Sequence, residues 1–414
     1  MTPDAFVLAA GRVITCDDSL GRGPLGAFDD GAIFVERGRV AAVGPRADVL
    51  ARAQGAPLVD DRPGGLLSPG LVDAHTHAAW AGSRHDEYAM RLAGEGYEAI
   101  AAAGGGIVST MRAVRGAGPG ELARALRARL GRMARQGVTT VEVKSGYGLD
   151  EASERAQLEA AADASTDASL PRVVPTYLAL HALPPEAKAD RARYVDDVVR
   201  RWLPAIARAG LARYVDAYVD RNAFRVDEAE ALFDAARTLG LGTRAHAGQF
   251  ADVGAAELAA RFSAASADHL ENVSDAGLDA LARAGTAAVL LPVASWTLAQ
   301  APPPIEAMRH AGVRLVVASD ANPGTAPTES LPLAMAFAAR SYGLLDHEIW
   351  RGVTVEAARA LGLEGEAGVL REGARADLAL WLLPHERALL QPWGAPPLAA
   401  AYRDGVRLGA TPLS

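Results

Sequence analysis

The stretch LLSPGLVDAHTHAAWAGSRHDEY, residues 66–88, is an apolar run that ends in His-Thr-His and then turns polar. Successive strand side chains point to opposite faces, so a strand over residues 71–78 would project His75 and His77 side by side. Two neutral imidazoles converging in this way form half of a metal site. A pair of satisfied core histidines would look the same, so the rest of the chain has to decide. Of the nine histidines, three more fall at the ends of separate apolar runs: His181, His246 and His269. Asp320 ends another. His85, His310, His347 and His385 fall in helix-like or loop-like segments and are assigned no role.

Side chains so far apart in sequence meet only if the elements carrying them are in register. Between residues 67 and 365 the apolar runs read, in order, GLVDAHTH, VTTVEVKSG, RVVPTYLALHA, RYVDAYVD, GTRAHAG, SADHL, AAVLLPV and RLVVASD. Helical stretches such as ELARALRARLGRMARQG, EASERAQLEAAADAS and DEAEALFDAARTLG lie between most of them. Eight such runs interleaved with helices predict an α/β fold with parallel strands, and the count favours a closed (β/α)8 TIM barrel. The competing fold is an open doubly wound sheet. No Gly-x-Gly-x-x-Gly follows an early strand, however, and the three glycines of AAAGGGIVST (101–110) read as loop. Barrel enzymes carry their chemistry at the C-terminal ends of the strands, which is where His75, His77, His181, His246, His269 and Asp320 fall. Both termini are β-rich with glycine turns, as in AFVLAAGRVITC and ADLALWLLP. They predict one small domain assembled from residues 1–66 and 366–414, flanking a barrel over 67–365.

An HxH pair, one further imidazole and one carboxylate supply four ligands for a divalent ion such as zinc. A bound ion of this kind lowers the pKa of water to about 7 and so yields a nucleophile at neutral pH. The bulk composition agrees with a soluble enzyme. Half of the 414 residues are hydrophobic and 22% are charged, enough to build a sizeable core. A net charge of −8 argues against nucleic acid as a partner. Cys16 is the single cysteine, which excludes an intrachain disulfide and a multi-cysteine metal site and suits a reducing compartment. No run approaches the roughly 18 apolar residues of a membrane span, and the first residues lack the pattern of a signal peptide. A cytoplasmic protein acting on a small molecule, with no membrane partner, is the expectation.

These residues resemble the amidohydrolase superfamily, whose members carry HxH after strand one, histidines after strands five and six, and aspartate after strand eight. The resemblance implies a small β-sandwich made from both termini, a homodimer, and one ion per chain, zinc or iron, held by His75, His77, His246 and Asp320. It places His269 beside the water or substrate. Many members hold two metals bridged by a carboxylated lysine on strand four. Here RYVDAYVDRN has no lysine and Lys144 lies on strand two, so a mononuclear site is expected. The segments VEVKSGYGLD, LALHALPPE, HAGQF, SADHLE and SDANPGTAP narrow the resemblance, over nearly the whole chain, to a branch that opens the cyclic amide of an imidazolone carboxylate. One segment departs from that branch: LLPVASWTL (290–298) stands where a Gly-Ala-aromatic segment is expected.

A substrate with a flat ring and a carboxylate tail makes sense of further residues. The resemblance singles out Arg84, in the loop after strand one, as the two-pronged partner of the carboxylate, with Tyr147 and more weakly Tyr97 beside it. His181 would hydrogen-bond the carbonyl oxygen, and Asp320, assisted by His269, would move the proton. Gln249 would orient ring or water. Asn322, Gly324 and Thr325 offer an amide, a backbone N–H and a hydroxyl to the polar edge, although Asn-Pro-Gly-Thr would make a good turn regardless. A nucleobase deaminase could share the metal set but has no use for a carboxylate clamp. A non-catalytic barrel scaffold would be expected to have lost ligands, and none is missing.

Overall fold

The computed structural model describes residues 3–95, 105–391, 393 and 396–409; Tyr97 lies outside them. Eight parallel strands follow one another in sequence order: β5 (Leu71–Asp73), β6 (Val138–Lys144), β7 (Arg172–Leu180), β8 (Tyr214–Val219), β9 (Gly242–Ala247), β10 (Ser266–His269), β11 (Ala287–Leu290) and β12 (Leu315–Val317). Each pairs in parallel with the next. The first and last strands are too short to pair along their own length, and the ring closes just beyond them. A parallel bridge joins Thr76 to Ala321. The His77 N–H donates to the Ala321 carbonyl at 3.0 Å, and the Asp320 N–H to that of His75 at 3.1 Å. The strand expected over residues 71–78 is therefore only three residues long. The bridge keeps the following segment in line, and His75 and His77 still converge.

Helices cover the outside of the barrel, and their ends are written locally. Asp150 accepts from the Ser153 N–H at 2.8 Å and starts the helix Glu151–Ser165. Ser274 caps Asp275–Ala284, which Gly285 ends in the left-handed conformation. Their inner faces are small: Ala160, Ala161 and Ala164 are buried with Leu158, letting the helix lie close against the strands. Truncating a fully buried leucine such as Leu158 to alanine would cost about 2–5 kcal/mol.

Both termini build a second sheet. It contains β1 (Ala5–Ile14), β2 (Ala27–Glu36), β3 (Arg39–Pro45), β4 (Leu58–Pro69), β13 (Leu378–Trp381), β14 (Leu398–Arg403) and β15 (Val406–Arg407). Their order is β15-β14-β13-β4-β1-β2-β3. The small sandwich is thus a single sheet folded over its own core, in which Phe6, Ile33 and Val35 meet Leu378, Leu380 and Tyr402. The Phe6 and Tyr402 rings lie 5.7 Å apart. Trp381 packs where a side chain on Gly137 would have to stand, docking the sheet on the barrel just before β6. Among the described residues, no helix is long and apolar enough to cross a membrane.

Candidate metal centre and catalytic pocket

The backbone that closes the barrel also presents its donors. Asp73 on β5 accepts from Ser319 N and Oγ at 3.0 and 2.6 Å, locking the start of one ligand segment to the other. Behind His77, Arg129 donates to the carbonyls of Ala78 and Trp80 at 3.0 and 2.7 Å and covers the Trp80 ring. Asp320 and His269 have positive φ angles of 53° and 81°, sparsely populated conformations for residues with a Cβ. Such strain gathers where surrounding structure holds a side chain in a working position.

Four side-chain atoms converge. Nε2 of His77 lies 3.3 Å from Nε2 of His75 and 3.4 Å from Nε2 of His246. Asp320 Oδ1 lies 3.5 Å from both His75 and His77 Nε2. The ligand atoms of His75, His77 and His246 all lie within 4.8 Å of one another, and Asp320 reaches in beside the first two. Burial pushes the pKa values of His75 and His77 well below the ordinary histidine value, which keeps both rings in the neutral form that binds metal. Three imidazoles and a neighbouring carboxylate are a donor set that fits one divalent ion.

The outward nitrogens of two of these rings are held from behind. His75 Nδ1 donates to Asp268 at 2.7 Å, and His246 Nδ1 to Asp216 at 3.2 Å, which fixes both tautomers with Nε2 inward. Asp216, Asp268, Glu142, Lys144 and Arg244 are all completely buried. Sequence reasoning missed all of this layer except Lys144. Its only signal is a charged residue inside an apolar strand run, as in VEVK or VDAYV.

The pocket above is lined by His77, His246, His269 and Asp320 together with the predicted Arg84, Tyr147, His181, Gln249, Asn322 and Thr325. Arg91, Tyr218 and Phe250 also line it and had no distinguishing signal in the sequence. The Arg84 side chain is 8% exposed. Its Nε donates to Thr110 at 2.8 Å and lies 4.0 Å from the Glu87 carboxylate, while its Nη2 is buried with no hydrogen-bond partner among the described residues. Gln249 Oε1 accepts from the Tyr218 hydroxyl at 2.8 Å, fixing its amide.

Two of the expected site residues sit in settings the sequence did not reveal. Gly324 does not line this pocket, and its N–H is occupied: Asn322 Oδ1 accepts from Gly324 N at 2.8 Å and Thr325 N at 2.7 Å. The Asn-Pro-Gly-Thr turn is satisfied internally, and Gly324 makes room for Arg84, whose guanidinium occupies the space of a Cβ there. His181, expected as a donor, has its Nδ1 2.7 Å from the Gly146 carbonyl oxygen. That bond uses the ring's proton, and burial lowers the His181 pKa to about 3, so the neutral ring offers Nε2 to the pocket as an acceptor.

The atypical segment 290–298 contains the short helix Pro292–Thr297. Its Ser295 bonds Glu271 and lies 2.5 Å from the Tyr342 hydroxyl. Glu271 Oε2 in turn lies 3.8 Å from His269 Nδ1. Burial lowers the pKa of His269, but the carboxylates of Glu271, Asp320 and Asp268 together raise it above the ordinary value. Burial pushes that of Asp320 up to about 7.

The sequence profile of the amidohydrolase family matches residues 66–406. The chain belongs to that family. An imidazolonepropionase of Acidiphilium cryptum (strain JF-5) is 48% identical over 396 residues, covering 95% of this chain and 97% of that protein. One of Cupriavidus taiwanensis is 46% identical over 390 residues, covering 94% and 93%. Among solved structures, a triazine hydrolase from Arthobacter aurescens superposes with a TM-score of 0.73 at 18% identity, covering 100% of this chain and 97% of that one. An adenosine deaminase from Xanthomonas campestris with bound zinc gives 0.68 at 20% identity, covering 97% and 92%. At such identities the structural likeness speaks for the fold of this amidohydrolase, not for its substrate.

Proposed function

We propose that this amidohydrolase is an imidazolonepropionase, which hydrolyses the ring C–N bond of 4-imidazolone-5-propanoate to N-formimidoyl-L-glutamate. The observation that carries the reading is the buried, half-satisfied Arg84 guanidinium in the same pocket as the His75, His77, His246 and Asp320 cluster. Glu87 and Thr110 serve the Nε side of this guanidinium, and a buried Nη2 left without a hydrogen bond is costly unless an acceptor such as the substrate's propanoate completes it. A nucleobase deaminase would leave it unpaired. The near-full-length relatives of that name support the same reading.

His75, His77, His246 and Asp320 would hold one divalent ion, zinc or iron; zinc has the support of the structural neighbour that binds it. Such an ion supplies the Lewis acidity that makes water a nucleophile at neutral pH. Arg84 binds the propanoate and Tyr147 closes over its side, fixing the ring relative to Asp320. His181 Nε2 accepts a ring N–H and so selects the substrate's orientation. Gln249, held by Tyr218, aligns the opposite edge, and Asn322 with Thr325 closes the polar rim. Asp320 takes the proton of the attacking water and returns it to the departing ring nitrogen, with His269 holding the developing charge. A cytoplasmic homodimer, with no nucleic-acid or membrane partner, completes the proposal.

The test is turnover of freshly prepared 4-imidazolone-5-propanoate, with elemental analysis of the same sample. Loss of the imidazolone absorbance with formiminoglutamate appearing supports the reading. A metal-loaded chain that leaves the compound intact overturns it.

A further inference from the structure

Beneath the proposed metal centre lies a second group with the donors of a metal site. Asp216, His246 and Asp268 bring one ligand atom each within 4.8 Å of one another, all buried. This group already contains a cation. The Lys144 ammonium lies 2.8 Å from Asp216, 2.8 Å from Glu142 and 3.8 Å from Asp268, with every one of these side chains fully buried. Arg244 reaches to 3.6 Å of Asp268 and 3.8 Å of Glu142 from the far side. Lys144 closes β6, and its backbone N–H donates to the Thr76 carbonyl at 3.0 Å, which ties it to the segment between His75 and His77.

We propose that Lys144 is the built-in second cation of this barrel. Its ammonium fills the place that a second divalent ion would take between Asp216 and Asp268, which makes the centre mononuclear, and it holds Asp216 against His246 Nδ1. The argument is one of space and fixed charge. Two carboxylates that each orient a metal-binding histidine also form an attractive site for an ion of their own, and an ammonium in hydrogen-bond contact with one and close to the other removes that attraction. A lysine on strand two does by charge what the usual arrangement on strand four does by bridging, with the opposite outcome for the number of ions. Lys144 is therefore a positioning residue: it touches no substrate and acts through Asp216 and Asp268.

The inference rests on the proposed four-residue centre, and the two can fail separately. The native chain, Lys144→Ser, and the double variant Glu142→Gln/Lys144→Ser are each stripped of metal and titrated with Zn2+ or Co2+. Bound ion is then counted by elemental analysis after desalting. The double variant removes one buried charge of each sign, so it keeps the buried charge balance even if the single variant does not fold. The native chain should hold about one ion in roughly tenfold excess and a folded variant about two, with the Co2+ visible spectrum gaining a second component. Two ions on the native chain, or a folded variant that still takes one with native affinity and spectrum, overturns the role of Lys144. A native chain that takes none overturns the four-residue centre instead.

Discussion

The Nδ1 of His181 lies 2.7 Å from the backbone carbonyl oxygen of Gly146. A carbonyl can only accept, so the ring proton sits on Nδ1 and Nε2 enters the pocket as a lone pair. Replacing His181 with phenylalanine keeps a flat ring and removes that acceptor, leaving a substrate N–H unpaired. The cost is about 1–3 kcal/mol, or about 10- to 100-fold in kcat/KM. Metal content should stay unchanged. A ring that instead donated as a cation would make activity climb toward acid pH, because burial holds the His181 pKa near about 3. A pH–rate profile rising below neutrality would therefore sink the acceptor role.

Gly324 matters for what it lacks. A methyl group there would overlap the Arg84 guanidinium, so Gly324→Ala should displace the side chain that receives the propanoate. Arg84→Ala and Gly324→Ala should share one kinetic signature, a raised KM with a smaller change in kcat. Losing a charge-assisted hydrogen bond is worth about 1.5–3 kcal/mol, or about 10- to 150-fold in KM. A substrate analogue carrying a propanamide should be indifferent to both changes. Equal losses on the acid and the amide would mean that Arg84 only supports the loop.

The contrast between Gly324 and the ligand histidines says what a sequence can carry. The eight runs and the donors at their ends were legible because each is a local pattern, an apolar run followed by a polar residue. So was the resemblance carried by HAGQF or SDANPGTAP. Glu142, Asp216, Arg244 and Asp268 were not, because each is a charge inside an apolar run whose partner lies on another strand. Only the register of the closed sheet brings Asp268 to His75, 193 residues away. The reach of the first strand was overestimated because an apolar run does not reveal where its ladder to Val138–Lys144 stops, which is at Asp73. The Asn-Pro-Gly-Thr string makes a good turn whatever else it does, and Asn322 Oδ1 closes that turn by accepting from Gly324 N and Thr325 N.

Asp320 links metal binding to pH. Burial pushes its pKa from the ordinary value of 3.8 up to about 7 in the metal-free protein. A carboxyl raised in this way contributes stability that is present below the unfolded pKa and is lost as the pH rises toward the folded one. Metal-free Asp320→Asn avoids that ionisation cost, so its melting midpoint should gain on the native chain between about pH 4 and about pH 7 and run parallel above. Asp73 is common to both proteins and cancels in the difference, whereas His269 loses one of the carboxylates that raise its pKa, so the same comparison is repeated in a His269→Gln background. Adding Zn2+ should reverse the order above pH 7, since the ionised Asp320 becomes a ligand and asparagine is a poor one. A constant gap between the metal-free midpoints across this range would rule out a buried, titrating Asp320.

The atypical segment 290–298 gives the last prediction, through the orientation of His269. Ser295 has one proton, and it goes to Glu271 Oε1, so the Tyr342 hydroxyl must donate to Ser295 Oγ at 2.5 Å. This chain holds Glu271 with its second oxygen facing His269 Nδ1 at 3.8 Å, where it raises the imidazole pKa against burial. Ser295→Ala breaks the chain in the middle but leaves the carboxylate. It should lower kcat by no more than about tenfold, with KM and metal content unchanged. Glu271→Gln keeps the shape and removes the charge, so the alkaline limb of the kcat profile should move to lower pH as His269 gives up its proton more readily. If that limb stays in place while kcat falls, Glu271 supports packing alone and His269 is not the group that titrates.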